Sequence, residues 1–188
     1  MATELQEGLL DYLRGVSQMM TEARARLAET MRYTSYEGLV LDQGRAYEPQ
    51  VKPGWAQRGA PKWCYDNTFR LVQRDRGRHG LVYCEGYAIL AGPDWVGIPV
   101  QHAWAVDADG RVVDVTWPHP ELSAYYGIAF DWIEVCRFSV RWGAGILPGE
   151  YHIGAPLITH GRLYPPNKSC DTTGHSGAPV RRKARSER

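Results

Sequence analysis

Nowhere does this 188-residue sequence hold an apolar run approaching the roughly 20 residues that a bilayer-spanning helix requires. It starts with the polar stretch Ala2 to Glu7 rather than with a basic segment followed by an apolar one. A membrane partner is therefore not expected, and a soluble, cytoplasmic protein is. Cysteine is sparse: Cys64, Cys84, Cys136 and Cys170 include no Cys-x-x-Cys pair, which excludes a zinc knuckle and a dense disulfide framework. His79, His119, His152, His160 and His175 show no compact ligand spacing, so no metal and no cofactor are expected. Net charge is also nearly missing, at +1, which argues against a dedicated nucleic-acid surface. The exception is local, because Arg181 to Arg188 is basic and lies beyond any recognisable element. It reads as part of a flexible tail over 167–188, with at most an accessory contact to phosphate or a partner.

What the chain does have is enough apolar and aromatic material, 44% hydrophobic residues with seven tryptophans, for one substantial core. Residues 4 to about 32 carry Leu9, Leu13, Val16, Met20, Ala23 and Leu27 at spacings of three or four, which predicts one long amphipathic helix within a segment 1–33. Its stripe is suited either to its own domain or to a second copy of the chain, so a homo-oligomer through this helix is one expectation. Gly and Pro then punctuate the sequence up to Ala60, with a short strand expected at Tyr36 to Leu41. Pro61 precedes a helical stretch ending before Gly77, which puts Cys64 in a first turn. After Gly80 the runs around Tyr83, His102 and Asp114 are rich in β-branched and aromatic residues, predicting three antiparallel strands. A fourth is expected at Tyr125 to Phe130 and a strand or short helix at Trp132 to Val140. The expected class is α+β, with the main domain spanning 34–166.

Three residues in this framework have the makings of thiol chemistry. A thiol needs a base to become a thiolate, and the imidazole needs a third group to hold its ring and tautomer. Cys64 at a helix start gains from the partial positive charge there. The turn Asp107 to Gly110 joins the strands of His102 and Asp114 and is expected to set His102 opposite residue 114 or 115. Cys64, His102 and Asp114 are thus the expected catalytic residues.

The strings Tyr83 to Ala88, His102-Ala-Trp104 and Asp109 to Trp117 resemble the core of transglutaminase-like proteins, within the wider papain-like cysteine superfamily, over roughly residues 60 to 130. They are also similar to small phage and bacterial proteins of this type. The resemblance implies an antiparallel sheet with the nucleophile at a helix N-terminus and a Cys-His-Asp site that transfers an acyl group, as in a peptidase, deamidase or transglutaminase. A protein, peptide or small amide would be the substrate. Cys84 competes for the nucleophile role, because Cys-Glu-Gly-Tyr-Ala itself resembles a nucleophile motif; Cys64 is favoured because it begins a helix. The Cys64 backbone N–H is a candidate oxyanion donor, and the resemblance implies a second in Gln57, which lies seven residues before Cys64, close to where papain-like enzymes carry a glutamine donor. Trp104 and Trp117 are candidate cleft walls, and Glu85 a candidate for orienting substrate. The rival expectation is a non-catalytic scaffold or partner-binding protein, such as a phage or host accessory factor, that keeps the fold.

Overall fold

The computed structural model describes residues 2–26, 29–142 and 145–163. Leu27, Cys170, His175 and the basic tail of the sequence reading lie outside them. The architecture is α+β: a five-stranded antiparallel sheet in the order β1-β5-β2-β3-β4 with helices packed against it. The strands are β1 (Arg45–Tyr47), β2 (Val82–Gly92), β3 (Trp95–Val106), β4 (Val112–Val113) and β5 (Ala124–Ala129). Among the described residues no helix is long and apolar enough to cross a membrane.

Helix α1 (Ala2–Ala23) is shorter than the periodicity predicts. After Ala23 the chain turns back, tied by Thr21 Oγ1 to Thr34 Oγ1 at 2.8 Å and by Arg24 to the Thr34 carbonyl at 2.9 Å. Leu9 and Leu13 are fully buried in the chain's own core, so this part of the stripe is covered without a second copy. The strand expected at Tyr36 to Leu41 is instead helix α2 (Tyr36–Gln43). Ser35 caps it, its Oγ accepting from the Gly38 N–H at 3.1 Å, and this cap starts a helix where the apolar run Leu39-Val40-Leu41 suggests a strand. Leu39 and Val40 bury the inner face.

Helix α3 (Cys64–Asp75) begins at the cysteine and ends where Arg76 and Gly77 take left-handed backbone conformations. It lies against β3, with Thr68 Oγ1 donating to the Ala103 carbonyl at 3.1 Å. The β2–β3 hairpin is longer than expected and turns at Pro93-Asp94. Its alternation sends Tyr83, Glu85, Tyr87, Ala103 and Ala105 to a large core shared with α1, α2 and α3, while Cys84, Ala88, Trp104 and Val106 enter a smaller core with Tyr47 and Tyr125. Gly127 is needed in that smaller core, since a Cβ there would sit 2.7 Å from Trp104 Cη2. After β5 the described residues form α4 (Trp132–Trp142), α5 (Ile146–Gly149) and α6 (Pro156–His160).

Candidate active site

The Asp107 to Gly110 turn forms as expected: Asp107 Oδ1 accepts the Asp109 and Arg111 N–H groups, and Gly110 supplies positive φ. The register differs from the sequence reading. Ala105 pairs with Val113 and Val106 with Val112, which sets Asp114 beside Trp104 rather than His102. Relative to a pairing of His102 with residue 114 the shift is two residues, so Asp114 still shares a face with His102 as a diagonal neighbour. Strand β4 ends at Val113 because the Asp114 carboxylate takes over the backbone donors that follow it: Oδ1 accepts from Thr116 N–H at 2.7 Å and Trp117 N–H at 3.3 Å.

The other oxygen, Oδ2, accepts from His102 Nε2 at 2.8 Å and from the Tyr125 hydroxyl at 3.0 Å. All four donors converge on a carboxylate that is 1% exposed, next to an imidazole that is 2% exposed. Burial alone disfavours the imidazolium, but the charge and hydrogen bond of Asp114 outweigh it, and Cys64 adds a side-chain interaction and its charge. Together they push His102 up to about 9. Burial likewise opposes an ionised Asp114, yet the His102 charge and the donors around the carboxylate hold it below the usual range. With Nε2 committed to Asp114, Nδ1 is the ring nitrogen left for the sulfur. The indole of Trp117 lies flat on the imidazole, centroids 3.8 Å apart and planes 10° from parallel, which fixes the ring and shields it from water.

Cys64 is held at the start of α3 by a knot one turn further on. Asn67 donates from Nδ2 to the Ala60 carbonyl at 2.7 Å and to Thr116 Oγ1 at 3.0 Å, while its Oδ1 accepts the Ala60 N–H at 3.2 Å. The same side chain thereby links the helix carrying Cys64, the loop before it and the segment just after Asp114. Nothing in the sequence reading singled out Asn67 or Tyr125. The cue for the Asp114 turn was present in Asp-x-Thr, a pattern suited to a side chain capping its own following backbone.

The remaining expected site residues separate. Cys84 is fully buried on β2, facing Trp104, Tyr47 and Tyr125, and burial pushes its thiol up to about 12. Glu85 points to the opposite face of the sheet, fully buried. There it accepts from the Tyr83 hydroxyl at 2.7 Å and from the Ile146 and Leu147 N–H groups at 2.6 and 2.8 Å, so it caps α5 rather than facing a substrate. Trp104 is fully enclosed and walls no cleft. Gln57 is exposed and lines a cavity of about 520 Å³ along α3, together with Trp63 and Asn67. Among the described residues no group of three or more His, Cys, Asp or Glu side chains is arranged to hold a metal ion.

Comparison with protein-family models, with curated proteins and with solved structures finds no match to this chain.

Proposed function

We propose that the protein is a thiol-dependent acyl-transfer enzyme of the transglutaminase-like or papain-like kind, acting on an amide or related acyl group through Cys64, His102 and Asp114. The observation that carries this reading is the buried Asp114–His102 hydrogen bond, which leaves one ring nitrogen for a cysteine at a helix start. Cys64 gives its proton to His102, and the sulfur attacks the acyl carbon. His102 then returns the proton to the departing amine as the carbon–nitrogen bond breaks, leaving a thioester on Cys64. Water or a second amine attacks the thioester while His102 accepts its proton, and the thiolate leaves. Asp114 stays ionised throughout, holding the ring and balancing the imidazolium. The Cys64 backbone N–H, at the start of α3, has no carbonyl of its own helix to bond and is available for the oxyanion.

Cys84 is the weaker nucleophile in this reading, because a thiol held near 12 is almost wholly protonated at neutral pH. Incubation with p-nitrophenyl acetate tests the assignment. A burst of one equivalent of p-nitrophenol with the acetyl group mapped to Cys64, and lost in Cys64→Ala, is the expected result. The reading fails if no burst occurs, or if the label maps to Cys84.

A further inference from the structure

The outer side of α3 carries a feature that the acyl-transfer chemistry does not use. Arg70 and Arg74 lie four residues apart on this helix, Arg78 follows its end, and Arg58 comes from the facing loop. All four line the 520 Å³ cavity. The space is built rather than accidental, because loop and helix are tied together at both ends of it. Near the start of α3 the tie is the Asn67–Ala60 pair of hydrogen bonds. Near its end the Trp55 indole stacks on the His79 ring at 3.8 Å with the planes 2° from parallel, and Asp75 holds His79 by side chain and backbone.

The two carboxylates in the lining are already engaged, Asp66 by Arg70 at 3.0 Å and Asp75 by His79. Among the described residues of the lining, no carboxylate is left for Arg58, Arg74 or Arg78. Guanidinium groups gathered around a concave space favour an anion, and bidentate pairing makes carboxylates their natural partners. The shape says which anion. At about 1.5 Å per residue the 12-residue helix is about 18 Å long, the reach of roughly five residues of extended peptide. Arg70 and Arg74 are about 6 Å apart along the axis, close to the roughly 6.8 Å between alternate side chains of a strand. A nucleotide presents its charge at one end, whereas the guanidinium groups here are spread from the middle of α3 past its end and onto the facing loop. The cavity includes Trp63, the residue before Cys64.

We propose that this groove is the acyl-donor subsite and takes an extended peptide with acidic side chains at alternate positions beside the reacting residue. The inference rests on the acyl-transfer reading for its link to Cys64, but its binding chemistry can be tested alone. Fluorescence anisotropy of the full chain is measured with two labelled nonapeptides, each with a central glutamine. One carries glutamate and the other serine at alternate positions on one side. The glutamate peptide is expected to bind at least tenfold tighter, and added salt to weaken it. The double variant Arg74→Glu/Arg78→Glu should lose that preference and instead favour the corresponding lysine peptide, a reversal that an unfolded protein would not show. Arg74→Gln/Arg78→Gln should lose the preference without reversal. Equal affinity for the glutamate and serine peptides, a preference untouched by these variants, or tighter binding of adenosine monophosphate than of the glutamate peptide would each overturn the proposal. Anisotropy reads binding and not acylation. An intact glutamate preference without the ester burst would therefore remove the enzyme reading and keep an acidic-peptide site, while the reverse pattern would remove the subsite alone.

Discussion

Asp114 and Glu85 are two buried carboxylates on opposite faces of the same sheet, and their donor sets are nearly the same. Each accepts from one tyrosine hydroxyl, Tyr125 or Tyr83, and from two consecutive backbone N–H groups. Their ionisation nevertheless goes opposite ways. Burial pushes Glu85 up to about 7 despite its three hydrogen bonds, whereas Asp114 is held below the usual carboxylate range. The difference is His102. Neutral donors soften the cost of burying a charge, but a cation in hydrogen-bond contact offsets it. Glu85 is therefore a structural latch for α5, and Asp114 is half of an ion pair whose other half faces a thiol.

The most damaging way to break this comparison is Asp114→Ala, which leaves His102 buried without its counter-charge and the Tyr125 hydroxyl without its acceptor. A loss of about 3–5 kcal/mol is expected in urea unfolding at pH 7. Glu85 should respond to pH instead. Its folded value of about 7 lies above the ordinary 4.5, so its contribution is complete below about 4.5 and is lost as pH rises through 7. Stability measured from pH 4.5 to 8 should fall in wild type relative to Glu85→Gln by up to about 3 kcal/mol. A constant difference between the two proteins over that range would show that Glu85 titrates alike folded and unfolded. The imidazolium acts in a higher window: its share is complete below 6.5 and is lost as pH rises through about 9. The smallest effect is expected at the other cysteine. Cys84→Ala should cost about 1 kcal/mol of stability from lost packing beside Trp104 and leave the ester burst unchanged.

The two carboxylates also show what could be read from the chain. The hairpin carrying His102 and Asp114 was legible because Asp107 and Gly110 have side-chain and backbone preferences that act over four residues. So was the start of α3 at Cys64. Glu85 was not: its alternation with Cys84 could be read, but which face packs α5 depends on residues some sixty positions away. The register error around Asp114 has the same origin, since a side chain that captures two backbone N–H groups shortens β4 beyond what strand propensity predicts. In α2 a local cue was present but outweighed in the reading, as the Ser35 cap defeated an apparently strand-like run. Asn67 looked like an ordinary helix residue because its three partners are set by the loop and by the segment after Asp114.

The central claim is that Asp114 and His102 act on Cys64 as one unit. It is tested most directly by the rate of iodoacetamide alkylation against pH for wild type, His102→Ala and Asp114→Asn, with the modified cysteine identified by peptide mapping and the fold checked by circular dichroism. An imidazolium beside the sulfur favours the thiolate, so wild type should react fast at Cys64 at pH 6 to 7, and His102→Ala roughly tenfold or more slowly there. Asp114→Asn should fall between the two while remaining folded, because it keeps the volume but loses the charge that supports the imidazolium. Superimposable profiles for all three proteins, each rising only near about pH 8 to 9 as for an ordinary thiol, would contradict the account.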